Sequence, residues 1–130
     1  MSKNHLATIE IDLRKLDDFR KAIAETPSLL KEALGKAVTE LVLVIEAKAK
    51  EVCPVDTGKL RASITPVVQS WAEAYVGTNT VYAPYVEFGT KKMAAQPFLE
   101  PAFLEGKRQA PAIFQRAIDR AMNQLGRESR

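Results

Sequence analysis

The chain has 130 residues, of which 46% are hydrophobic and 27% charged, enough for one domain with a real core and too apolar for global disorder. Its net charge of +3, from 19 basic and 16 acidic side chains interleaved along the sequence, reads as a solvated surface rather than a nucleic-acid stripe. Cys53 is the only cysteine, which excludes an intramolecular disulfide and suits a reducing cytosol; the longest aliphatic run, Leu41 to Ile45, is too short to span a bilayer.

Residues 1–130 read as a single domain, with polar ends at 1–5 and 126–130 that fray, and the first residues lack the apolar core of a signal peptide. From Leu6 to Leu13 apolar and polar residues alternate, which predicts a short strand. From Asp12 the period changes. Asp12 caps a short helix with Leu13, Leu16, Phe19 and Ile23 on one face, and Thr26-Pro27 breaks it.

Ser28 to Val52 predicts a long helix with a stripe of Leu30, Leu34, Val38, Leu41, Ile45, Ala49 and Val52. Glu32 with Lys36, Lys36 with Glu40, and Glu46 with Lys50 stand four apart as opposite charges. The middle of this helix is apolar all round, so it is expected to be covered on more than one side, a neighbouring subunit being one cover. Pro54 ends it, and Asp56-Thr57-Gly58 follows as a turn.

Strands are expected over Ser63 to Gln69 and Glu73 to Gly77, around a turn near Ser70-Trp71, with Pro66 marking an edge or a bulge. Val81 to Thr90 fits either a single helical turn or an irregular strand, and Lys91 to Gln96 an exposed loop. A second long helix begins at Pro97 with Phe103, Ala110, Phe114, Ile118, Ala121 and Leu125 near one face; Gly106 and Pro111 predict a kink or short break. The sum is an α+β fold: a small antiparallel sheet packed on two long helices, with an N-terminal strand and short helix.

Few residues invite chemistry. Asp56-Thr57-Gly58 is the tripeptide of aspartic proteases, but here it follows a helix and Pro54, and Lys59 stands where that loop wants a small residue, so a helix-to-strand joint is the better reading. His5 is the sole histidine, and it offers no zinc spacing with Cys53 and scattered carboxylates; Cys53 itself ends an apolar stripe as a small hydrophobe without an adjacent base. The glycines are too isolated for a phosphate loop. No catalytic residue, cofactor site or metal site is assigned. Tyr82, Tyr85 and Phe88 are read as core or subunit contacts in preference to a base-stacking surface. Lys107, Arg108, Arg116, Arg120, Arg127 and Arg130 make the last helix basic, which leaves a small nucleic-acid-binding protein as the alternative function.

Three blocks together resemble the lambdoid-phage gene-10-like family of tail components. They are Pro54-Val55-Asp56-Thr57-Gly58 with Leu60-Arg61-Ser63-Ile64, then Tyr82-Ala83-Pro84-Tyr85-Val86-Glu87-Phe88-Gly89-Thr90, then Pro97-Phe98-Leu99 with Pro101-Ala102. The resemblance implies a structural, non-enzymatic virion protein of a tailed bacteriophage or prophage. It would act in tail completion or head–tail joining at the neck, as a homo-oligomeric ring among other neck and tail proteins, with non-specific proximity to double-stranded DNA in the lumen and neither a membrane nor a small-molecule substrate. The motif and interface candidates are Asp56, Thr57, Gly58, Leu60, Arg61, Tyr82, Pro84, Tyr85, Glu87, Phe88, Gly89, Thr90, Pro97 and Phe98. Lys91 to Gln96, hinged at Gly89-Thr90 and ringed by Tyr85, Phe88 and Phe98, is expected to order only on contact with a partner, so that its entropy delays assembly.

Overall fold

The computed structural model of the chain describes residues 7–12, 28–55 and 58–128. Its elements are strand β1 (Ala7–Asp12), helix α1 (Ser28–Val52), helix α2 (Lys59–Ser63), strands β2 (Thr65–Ser70) and β3 (Glu73–Thr78), helix α3 (Ala83–Phe88) and helix α4 (Leu99–Glu128). The α+β class is as expected. The N-terminal helix expected after Asp12, with its Thr26-Pro27 break, lies outside the described residues.

The sheet is antiparallel with order β1-β3-β2, so β3 is central. Ala7 pairs with Thr78 and Asp12 with Glu73 on one side of β3; Thr65 pairs with Gly77 on the other. Pro66 sits on the edge strand β2, where the amide it lacks breaks no ladder. Gln69 is an extra residue between the pairs Val68–Ala74 and Ser70–Glu73, and the bulge moves the turn to Trp71-Ala72. Trp71 packs beside Gly35 of α1, with its Cβ 3.3 Å from where a Gly35 side chain would begin, and Lys31 lies 5.7 Å over its ring.

Ser63 was expected in a strand and instead closes α2. Gly58, at φ 79°, starts that helix, and its carbonyl accepts from Ala62 N at 3.0 Å. Five residues are too few to show a period, but Leu60 and Ile64, four apart, are both buried. Three hydroxyls then tie α2 to the end of β3. Ser63 Oγ donates to the Leu60 carbonyl at 2.6 Å and receives Thr80 Oγ1 at 2.9 Å. It also bonds the hydroxyl of Thr78, a fully buried side chain whose Oγ1 accepts from Thr80 N.

The core lies between the helices and the Ala74–Val76 face of β3, with Tyr75 on the opposite face. Val38, Leu41, Ile45 and Ala49 are buried as the stripe predicts, joined by Ala37, Val42 and Cys53; Leu30, Leu34 and Val52 are half-buried. The apolar middle of α1 is covered by α4 and by the sheet, leaving Leu43 exposed. Glu32–Lys36 and Glu46–Lys50 pair at 3.7 and 2.9 Å. Glu40, expected to pair with Lys36, reaches across to Arg116 of α4 at 2.8 Å.

α4 differs from its sequence reading in two ways. It runs unbroken through Pro111, which lies exposed, on the side where water can take over a freed carbonyl. Its buried face is also only partly the expected one: Ala121 is buried and Ala110 and Phe114 pack half-buried against the core as expected, Leu99, Ala102, Gly106, Ile113 and Ala117 join them, and Phe103 and Ile118 are exposed. Small residues win these positions because the two long helices approach closely. A Cβ on Gly106 would stand 2.5 Å from Ile45 Cγ1 and 2.7 Å from its Cδ1. Gly106 marks a crossing, where the sequence suggested a kink.

Replacing Gly106 with alanine should therefore lower the unfolding free energy by about 1–3 kcal/mol despite alanine's better helix propensity. Urea titration reads this directly; an unchanged midpoint would mean that the helices part freely.

Candidate functional site

α4 begins without a local cap. Gln96, Pro97 and Phe98 precede Leu99, and none carries the short polar side chain that normally accepts the first amides of a helix. The acceptor comes from α3. Glu87 is buried, and its Oε1 accepts from Phe98 N at 2.9 Å and Leu99 N at 2.8 Å, while Oε2 accepts from Glu100 N at 3.1 Å. A carboxylate at the positive end of a helix is also favoured by the aligned peptide dipoles. Three amides on one buried acid fasten α3 to α4.

The chain between these helices is closed as well. Gly89, at φ 77°, donates to the Tyr85 carbonyl at 2.8 Å, and a Cβ there would lie 2.7 Å from Ala95 N and 2.9 Å from Met93 O. Both the left-handed backbone and the close approach demand glycine. Thr90 N donates to Met93 O at 2.8 Å, Thr90 Oγ1 accepts from Lys92 N and Met93 N, and Gln96 N donates to Val86 O at 2.8 Å. Residues 91–96 are exposed, as expected for a loop, but they form a turn pinned at both ends, and Gly89 is a fixed corner rather than a loose hinge.

α3 itself is one short helix with Pro84 in its first turn, which settles the ambiguity over residues 81–90. It buries Ala83 and Glu87 and turns its aromatic side outward. Tyr85 is 57% and Phe88 77% exposed, with Tyr82, Val81 and Met93 also exposed nearby in sequence. Of the two alternatives for these aromatics, core packing is excluded and a subunit contact is left: the buried positions of so short a helix are taken by the small Ala83 and the capping acid.

Between α2 and α3 lies an open groove of about 650 Å³. Pro54, Leu60, Tyr82, Tyr85, Val86 and Met93 give it apolar walls; Gly58, Lys59 and Gln96 complete it. The three blocks singled out in the sequence thus divide by role. Gly58, Leu60, Tyr82 and Tyr85 border the groove, with Leu60 largely buried beneath it. Pro84, Glu87, Gly89 and Thr90 build its support. Phe98, expected as a surface anchor, is fully buried and belongs to the core, while Arg61 and Pro97 are exposed and Asp56 and Thr57 lie outside the described residues. The role of Glu87 was missed, although the capless start of α4 was a signal that some distant acceptor had to serve it.

Elsewhere the chemistry is sparse. Among the described residues no cluster of His, Cys, Asp and Glu could hold a metal ion, and no helix is long and apolar enough to cross a membrane. Burial pushes the Cys53 thiol up, with Arg61 pulling it part of the way back. On α4, Arg108 and Gln109 bond Glu105 and hold its carboxyl below its usual range, and Arg116 is engaged by Glu40. Two of the cations expected to form a basic face are therefore paired.

A family model described as "Bacteriophage HK97-gp10, putative tail-component" matches residues 15–89, which is 75 of the 130 residues. The matched span takes in α1, α2, β2, β3 and α3 and ends at Gly89, short of Met93 and Gln96 on the groove wall. No curated protein matches the chain, and no solved structure does.

Glu87→Ala should leave three amides without their acceptor and reduce the unfolding free energy by about 2–4 kcal/mol, with Glu87→Gln falling between it and the natural chain. Chemical denaturation of the three proteins checks the order; equal stabilities would remove Glu87 from its structural role. Cys53, buried and disfavoured as a thiolate, should react with a thiol reagent far more slowly in the folded chain than in urea. Equal rates in both would show that the end of α1 is open.

Proposed function

Because the chain belongs to the HK97-gp10-like family of bacteriophage tail components, we propose that it is a structural, non-enzymatic part of the virion, acting in tail completion or in joining the tail to the DNA-filled head at the neck. In this reading it works as a homo-oligomeric ring among other neck and tail proteins, with double-stranded DNA passing its lumen without sequence-specific contact. It assembles in the host bacterial cytoplasm and ends in the particle.

The observation that best supports a docking role is the aromatic surface of α3. Exposing Tyr85 and Phe88 forgoes roughly 1.5–3 kcal/mol for each large side chain left unburied, yet the backbone beneath them is fixed by the Glu87 bonds and the Gly89 corner. Rigid, exposed aromatics are what protein interfaces use as anchors, because little entropy is lost when they are covered. A nucleic-acid-binding role for α4 is less well supported, since Arg108 and Arg116 are held in ion pairs within the chain.

Disabling the gene in its phage should give particles with unfinished tails, or heads and tails that remain separate, visible by electron microscopy. Normal infectious particles would refute the proposal. Tyr85→Ser with Phe88→Ser should reproduce the defect while leaving the thermal unfolding of the isolated chain within about 0.5 kcal/mol of its original stability, as for surface substitutions.

A further inference from the structure

We infer that α4 carries a second contact face, and that a second copy of this chain packs on it with its own α4 antiparallel. A contact of this kind closes at two copies, so it is a state of the free protein and separate from the ring proposed above.

Spacing defines the face. Leu104, Arg108, Pro111, Gln115, Ile118 and Met122 follow one another at alternating steps of four and three residues, and all six are exposed. Half-buried Leu125 continues the run. Such steps average 3.5 residues, the period at which two helices pair along a common line. The line lies well around the helix from Ala102, Gly106, Ile113 and Ala117, which the core takes. Leu104 is 54%, Met122 55% and Ile118 37% exposed. The apolar surface of α4 is thus wider than its own fold uses, and such surplus marks an interaction site.

Charge sets the direction. In parallel order Arg108 would meet its own equivalent inside the seam, where like charges repel. With the second copy reversed about the middle of the run, Leu104 comes opposite the partner's Met122, and Arg108 opposite the partner's Ile118. The Arg108 stem then lies on an apolar side chain while its head comes beside the partner's Asp119. Glu105 of the same chain takes only part of the five N–H groups of that guanidinium. Asp119 is exposed and accepts from Gln115 of its own chain at 2.9 Å, which leaves a carboxylate lone pair for a cation. The two-fold relation makes each of these contacts twice.

Pro111 supplies an independent reason. It has no N–H, so the Lys107 carbonyl lacks its usual donor within the helix. The reversed order sets the partner's Gln115 opposite this gap. One N–H of that amide is held by Asp119 and the other can reach the freed carbonyl. The run is about 27 Å long. Each copy exposes on the order of 500 Å² along it, so the pair reaches the roughly 1,000 Å² at which specific contacts begin, and the dimer is weak, with a dissociation constant of micromolar order.

Sedimentation velocity of the full chain across the micromolar range should show a reversible monomer–dimer equilibrium. Ile118→Glu with Met122→Glu should weaken it at least about tenfold. Asp119→Arg should weaken it too, by setting two cations together, and adding Arg108→Glu should restore it. Cysteines read the order of the helices: Leu104→Cys with Met122→Cys should give a disulfide-linked dimer in oxidised glutathione, and Leu104→Cys alone should not, since Cys53 is buried. The substituted residues are exposed, so urea midpoints of the dilute, monomeric variants should match the parent's. Four results would overturn the inference: a monomer at every concentration; a dimer indifferent to the changes at 118 and 122, which would put the contact on another face such as the groove; bridging by Leu104→Cys alone, which would mean parallel order; or a monomer whose midpoint falls with Ile118→Glu, which would mean that the chain itself covers this face.

Discussion

One buried carboxylate ties the start of the last helix to the short helix before it. Glu87 accepts three amides from the start of α4, and so a helix of 30 residues, about 45 Å long, takes its origin from a helix of only six. Short helices have little stability of their own, since nucleation is costly and few bonds repay it. α3 persists because α4 holds it, and α4 begins where it does because α3 offers the acceptor. The surface aromatics depend on this mutual support: with the inward face of α3 committed to Ala83 and Glu87, Tyr85 and Phe88 have only the outward direction left.

The same economy of contact runs along the pair of long helices. α4 buries Ala102, Gly106, Ala117 and Ala121 on its inner face, with Leu99 and Ile113 as the large side chains buried there. Small residues bring the backbones together, and the close approach turns larger apolar side chains such as Phe103, Leu104, Ile118 and Met122 outward. The Glu40–Arg116 bridge fixes the helices in register farther along, although at its half-exposed position it contributes little to stability.

What could be read from the sequence follows from how far apart the interacting residues lie. The period of two in β1 and β3, the stripe of α1 and the edge position of Pro66 are local patterns, and they were legible. α2 was not, because five residues hold no period and its start depends on the backbone angle of Gly58. The face of α4 was misjudged at Phe103 and Ile118, which hydrophobicity alone favours, whereas the approach of Ile45 to Gly106 decides the contact. Three blocks of motif drew attention to this region, but not to the structural division of labour within it. That Glu87 is a cap is set by partners 11 to 13 residues away, and no single-residue property reveals it, nor that Phe98 is core and Tyr85 surface.

The bulge at Gln69 and the proline at position 66 carry a consequence for how copies of this fold can meet. Together they deny β2 the straight row of free amides and carbonyls that an incoming strand would need. Growth by continuing the sheet from one subunit into the next is closed on that margin. Contacts along that margin must then be made by side chains, whose shapes can distinguish one partner from another, whereas a backbone ladder accepts nearly any extended chain. For a tail component that meets other phage proteins, that loss of stickiness is a gain in discrimination.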